Sequence, residues 1–159
     1  MIKVGDQIPS VTIREVTADS ANVVSAADFF AGRKVALFGL PGAFTATCSA
    51  RHLPGFADNA DALREKGVDI IACTSVNDAA VMKAWSEQSG TAGKVVMLSD
   101  GNGEFAQALG MYEDKTKAGM GWRSRRYSML VENGTVKQFN LEEPGAYGIS
   151  SAEHLLTQI

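Results

Sequence analysis

The sequence has few of the residues that usually announce a mechanism. Its 159 residues hold two cysteines, Cys48 and Cys73, and two histidines, His52 and His154. Without a Cys-x-x-Cys pair, a zinc ribbon or a vicinal-dithiol motif is excluded by counting. A disulfide scaffold is disfavoured by size, because a domain of this length is stabilised by its core. No charge of one sign dominates: 15 Lys and Arg stand against 18 Asp and Glu, a formal charge of −3. That balance gives no attraction to nucleic acid or to an anionic membrane. Long apolar runs are missing, since the longest, such as Val35 to Leu40, reach about six residues against the roughly 20 that span a bilayer. Met1-Ile-Lys-Val-Gly-Asp6 lacks the basic start and apolar run of a secretory signal. There is no repeat, low-complexity tract or linker. These absences predict one domain over residues 1–159, in the cytoplasm, carrying one or two free thiols and no metal or organic cofactor.

What is present alternates between short apolar runs and helical stripes. Val35 to Leu40, Asp69 to Thr74 and Val95 to Leu98 read as buried strands. Leu53, Phe56, Ala57, Ala60 and Leu63 recur at three- and four-residue steps, the stripe of one long helix that Gly67 ends. Asn77 is placed to cap a helix with Val81 and Trp85 on one face, and Phe105 and Leu109 mark a shorter one. Asn133-Gly134 between Tyr127–Val131 and Thr135–Phe139 is a strong hairpin signal. Ser150 and Glu153 have the spacing of a capping box before a final helix. At the start, Val11 to Val16 alternates weakly as a strand, and Ser25 precedes a short segment from Ala26 to Phe30. The order predicts an α/β chain with a mixed central sheet flanked by helices. It resembles the thioredoxin-like layout, with an N-terminal extension and an insertion before the hairpin.

Cys48 falls where the first core strand hands over to the long helix, in Pro41-Gly-Ala-Phe-Thr-Ala-Thr-Cys-Ser49. In a first helical turn the unpaired N–H groups favour an anion, and so a thiolate. Thr45, Thr47 and Ser49 supply hydroxyls to the sulfur or to a substrate oxygen. His52, one turn on, either packs beside the site and bonds to backbone or acts as the base of a Cys-His thiol hydrolase. Cys73, inside an apolar strand, reads as a core thiol. Five basic residues crowd Lys115 to Arg126 without an acid. Lys115, Lys117 and Arg123 read as a solvated loop, and the shortage of interleaved aromatics speaks against nucleic acid. Trp85, Phe44 and Tyr147 are candidates for an apolar rim.

Pro41-x-x-x-Thr45-x-x-Cys48 is similar to the active-site signature of the peroxiredoxins. The longer run Pro-Gly-Ala-Phe-Thr…Cys-Ser…His52-Leu-Pro-Gly-Phe56, with Ala72–Asp78, Gly93–Asp100 and Arg125–Met129, resembles the type-five subgroup over nearly the whole chain. The resemblance implies a thiol peroxidase for hydrogen peroxide and organic hydroperoxides, with Cys48 as the nucleophile that becomes a sulfenic acid. It also implies that Thr45 holds a peroxide oxygen, that Arg126 contacts thiolate and peroxide, that Pro41 shields the site from water, and that the protein is a homodimer. Arg125 is the alternative to Arg126, since adjacent strand residues face opposite ways. Ala46 stands where the family usually has proline, which leaves the loop less rigid. Residues 140–151 contain no second cysteine, so the sulfenic acid awaits an external thiol: glutathione, a glutaredoxin or a thioredoxin. Pro54 removes the amide that would bond residue 50, weakening the helix just beyond Cys48. A non-enzymatic peroxide sensor remains the alternative to turnover.

Overall fold

The computed structural model describes residues 1–159. Nine strands form: β1 Thr12–Val16, β2 Ala21–Ser25, β3 Lys34–Gly39, β4 Ile70–Ser75, β5 Val96–Ser99, β6 Tyr112–Asp114, β7 Trp122–Ser124, β8 Tyr127–Glu132 and β9 Thr135–Leu141. Six helices accompany them: α1 Ala26–Phe30, α2 Leu53–Asp58, α3 Ala60–Glu65, α4 Ala79–Ser89, α5 Glu104–Leu109 and α6 Ala152–Leu156. Seven strands make one mixed sheet in the order β2-β1-β5-β4-β3-β8-β9, and β6 pairs with β7 apart from it. Neighbours β3, β4 and β5 run parallel, and β8 lies antiparallel to β3. This is the mixed, thioredoxin-like arrangement that the alternation of elements predicts.

Strand periodicity divides the interior into two layers. In β3, Ala36 and Phe38 face the layer of α2, α3, α4 and α6, while Val35 and Leu37 face the layer of α1 and α5. In β4, Ile71 and Cys73 join the first layer and Ala72 the second. Each fully buried leucine or phenylalanine contributes about 2 kcal/mol by leaving water, so both faces hold the central strands in register. Gly39 has a specific purpose at the end of β3: the Tyr127 ring occupies the space a Cβ would need.

Several boundaries differ from the sequence expectation, each for a local reason. The single long helix is divided into a π-helical turn at Cys48–His52, then α2, then α3 beyond Asn59. Pro54 has no N–H to offer Ala50, and the Leu53 amide instead bonds the Cys48 carbonyl, five residues back. Asp78, not Asn77, caps α4, accepting from the Val81 amide at 2.9 Å. Ser151, not Ser150, caps α6, and Ser25 makes no side-chain cap to α1. Edge strand β2 and the β6–β7 ribbon carried no periodic apolar signal. The Asn133-Gly134 hairpin forms as expected, with φ of 49° and 79°.

Candidate active site

The end of β3 delivers the chain into the loop Pro41–Thr47, and two side chains fix that loop from outside. Asn77 Oδ1 accepts from the Ala43 amide at 2.9 Å and from Ser75 Oγ at 2.6 Å. Arg123 Nη1 donates to the Pro41 carbonyl at 3.3 Å, and its Nε to the Met120 carbonyl. Arg123 therefore braces the loop, whereas the sequence suggested a solvated side chain. Within the loop, Thr45 Oγ1 donates to the Gly42 carbonyl at 2.7 Å. Phe44 sits at φ 65°, a conformation few non-glycine residues adopt.

Cys48 opens the π-helical turn and is fully buried. Arg126, at the start of β8, donates from Nη2 to Cys48 Sγ at 3.1 Å. Antiparallel pairing of β3 with β8 sets Gly39 opposite Tyr127, which brings residues 78 apart in sequence into contact. Arg125 points elsewhere, donating to the Glu142 carbonyl at 3.1 Å, so of the two adjacent arginines it is Arg126 that faces the sulfur. Ser49, expected near the sulfur, instead accepts from Trp85 Nε1 at 3.0 Å. Trp85 itself is buried, while Phe44 is exposed, so Trp85 belongs to the core rather than to a rim. A cleft of about 270 Å³ opens at the site, lined by Pro41, Thr45, Thr47 and Arg126 and extending towards Lys115 and Pro144. The structure thus brings Pro41, Thr45, Cys48 and Arg126 to one place.

His52 is the group that sequence reasoning undervalued. Arg126 Nη1 donates to its Nδ1 at 2.8 Å, and its Nε2 lies 3.0 Å from the Ser150 carbonyl. A guanidinium only donates and a carbonyl only accepts, so the imidazole is neutral with its proton on Nε2. Burial, and then the Arg126 charge, push its pKa down to about 3. Its free lone pair faces a cation rather than Cys48, so it is not placed to deprotonate the thiol; this removes the Cys-His hydrolase reading. The sequence signals were the spacing of His52 four residues after Cys48 and its place in the run from Pro41 to Phe56, and neither revealed the arginine between them.

A histidine buried neutral makes stability depend on pH. Its contribution is present in full above the unfolded value of 6.5 and is lost progressively as pH falls towards 3. Between pH 7 and pH 4 we expect a loss on the order of 3 kcal/mol from this group. Asp100 acts in the opposite sense. Burial raises its pKa to about 6 despite bonds from the Phe105 and Ala106 amides, so its share of stability is present at low pH and lost as pH rises from 3.8 to about 6. Urea unfolding of the wild type and His52→Gln at both pH values isolates the histidine; an identical acid loss in both proteins would show that His52 is not held neutral.

Cys73 lies on β4 in the same core layer as Cys48 and is fully buried. Burial, followed by the nearness of Cys48, pushes its thiol well above the ordinary range.

Known proteins resemble this chain in sequence and in fold. A family profile described as Redoxin matches residues 3–156. The chain is 49% identical over 159 residues to peroxiredoxin-2E, chloroplastic, from Arabidopsis thaliana, covering 98% of this chain and 68% of that protein. It is 50% identical over 160 residues to peroxiredoxin-2E-2, chloroplastic, from Oryza sativa, covering 98% and 71% respectively. Among solved structures, reduced Prx3 in complex with hydrogen peroxide from Vibrio vulnificus superposes with a TM-score of 0.95 at 44% identity, covering 99% of each chain. The cytoplasmic location expected from the sequence is corrected by the first two of these: relatives at about half identity are chloroplastic proteins. Composition and the residues at Met1–Asp6 hold no information that separates those compartments.

Proposed function

Since the chain belongs to the redoxin family and is, with the peroxiredoxins it matches, a thiol-dependent peroxidase of thioredoxin-like fold, we propose that Cys48 is its reacting thiol in a one-cysteine cycle. The observation that carries this reading is the Arg126 Nη2 to Cys48 Sγ hydrogen bond of 3.1 Å beside a cleft lined by Pro41 and Thr45. The Cys48 thiolate attacks one oxygen of hydrogen peroxide or an organic hydroperoxide. The S–O bond forms as the O–O bond breaks; sulfur is oxidised to sulfenic acid, and the departing oxygen leaves with a proton as water or alcohol. Arg126 serves as the fixed donor for the charge that develops on oxygen. Thr45 Oγ1, whose proton goes to the Gly42 carbonyl, holds the peroxide by accepting from its O–H, and Pro41 walls the site from water.

The second half needs an external thiol. Its sulfur displaces hydroxide from the sulfenic acid, water leaves, and a mixed disulfide remains, which a second thiol reduces. Glutathione with a glutaredoxin, or a thioredoxin, is the class of reductant. Cys73 is a poor internal partner because burial keeps it a thiol, and no other cysteine exists. The π-helical turn ahead of Pro54 supports local unwinding as the route by which buried Cys48 meets a bulky thiol. We also assign the chain to the type-five subgroup on the run from Pro41 to Phe56, as one domain over residues 1–159. A homodimer is favoured by the exposure of Phe44 and of Trp122, the neighbour of the bracing Arg123.

The test is to oxidise the protein with one equivalent of hydrogen peroxide and map its cysteines, then supply each reductant and follow peroxide consumption. We expect a Cys48 sulfenic acid, no Cys48–Cys73 disulfide, sustained turnover with at least one thiol system, and less than a twofold change on Cys73→Ser. An internal disulfide would overturn the one-cysteine cycle. A single turnover with every thiol would favour the peroxide sensor.

A further inference from the structure

At the wall of the same cleft lies a buried carboxylate with no cationic partner. Glu142 is 5% exposed, and no Lys or Arg pairs with it. Its Oε2 instead accepts three hydrogen bonds from one short stretch: the Gly148 amide, the Ser150 amide at 2.9 Å and Ser150 Oγ at 2.7 Å. Burial opposes the charged form, but these donors outweigh it and hold the carboxyl below the usual range. Residues 142–150 are thereby closed into a strap. Its Ser150 carbonyl accepts from His52 Nε2, and its Tyr147 ring lies edge-on to the imidazole with centroids 5.3 Å apart. The main chain of Glu142 grips the other end, its amide donating to the Arg126 carbonyl at 3.0 Å.

We propose that Glu142 is a positioning residue for the peroxidase reaction, latching the strap so that Ser150 holds His52 and His52 holds the Arg126 guanidinium on Cys48. The proposal rests on Arg126 being the donor to the reacting sulfur. Each link restricts the next: the latched carbonyl fixes the imidazole proton on Nε2, which leaves Nδ1 as an acceptor, which takes one arm of the guanidinium and aims the other at Sγ. A guanidinium held by one arm keeps its charge but loses its aim, and aim is what a fixed donor contributes to a transition state. An apolar side chain would fill the same volume without choosing the tautomer.

The test measures the second-order rate with hydrogen peroxide, by stopped-flow tryptophan fluorescence, for wild type, Glu142→Gln, Glu142→Ala, Arg126→Ala and the Glu142→Ala/Arg126→Ala double variant. Nitrogen-15 spectra of the His52 imidazole accompany each. We expect about a tenfold loss for Glu142→Ala and a smaller one for Glu142→Gln, which keeps one acceptor oxygen. In the Arg126→Ala background the same change should cost less than about twofold, since there is no guanidinium left to aim. The His52 nitrogens should be distinct in the wild type and drift towards a tautomer average in Glu142→Ala. If Glu142→Ala does not fold, Glu142→Gln carries the same single and double comparison. An unchanged rate with unchanged His52 signals would overturn the proposal, and so would an equal loss with and without Arg126, the mark of a merely structural role. An Arg126→Ala enzyme as fast as the wild type would be a different failure, removing the Arg126 assignment on which the proposal stands.

Discussion

Cys48→Ser is expected to abolish peroxide reduction, lowering the rate with hydrogen peroxide by about 10⁴-fold or more. The argument is chemical. Attack on an O–O bond needs a polarisable anion that can accept an oxygen and then be reduced again, and a serine hydroxyl stays un-ionised near neutral pH. The substitution changes one buried atom in a side chain of nearly the same shape, so the fold should persist and the loss should be one of chemistry. Stopped-flow fluorescence with intact mass analysis reads it directly: the wild type should gain one oxygen and the variant none. A variant that still consumed peroxide at the wild-type rate would place the reaction at another residue.

The second large effect is expected at Arg126. Its two arms have separate acceptors, Cys48 Sγ at 3.1 Å and His52 Nδ1 at 2.8 Å, an arrangement that uses the planar fork of a guanidinium. Arg126→Ala should lower kcat/KM for hydrogen peroxide by about 10²–10³-fold, the usual result of deleting a fixed donor to a developing oxyanion. Arg126→Lys should recover little of this, because an ammonium on a flexible stem cannot serve both acceptors in one plane. Melting temperatures measured alongside separate the cause. If Arg126 acts on the reaction, the catalytic loss far exceeds the change in stability. A loss confined to stability, with kcat/KM intact in the folded fraction, would make Arg126 a packing residue.

The sequence made legible those features with a short-range signal. Apolar runs located β3 and β4, Asn133-Gly134 located the hairpin, and the spacing of Pro41, Thr45 and Cys48 located the site before any coordinates. It left hidden the features that depend on distant partners. Periodicity alone does not separate Arg126 from Arg125; the family resemblance favours Arg126, and the start of β8 beside the end of β3 is what brings it to the sulfur. His52 reads as an isolated histidine until Arg126 and Ser150 arrive on either side. Glu142 reads as one more acidic loop residue, because its three donors lie six and eight positions later and no pattern marks that turn. The shift of caps from Asn77 to Asp78 and from Ser150 to Ser151 has the same origin: Asn77 is taken by Ala43 and Ser75, and Ser150 by Glu142.

The β3–β8 pairing also bears on how the chain reaches its active form. Helices close over a few residues, but the ladder that sets Gly39 against Tyr127 joins segments from opposite halves of the chain. Such contacts carry the largest loop-closure entropy and form late in the search for the native state. Cys48 and Arg126 ride on the two sides of that ladder, so no local fragment can contain a working site. Recovery of peroxidase activity after dilution from denaturant should therefore lag behind recovery of helical circular dichroism, and the enzyme's own turnover becomes a clock for completion of its central sheet.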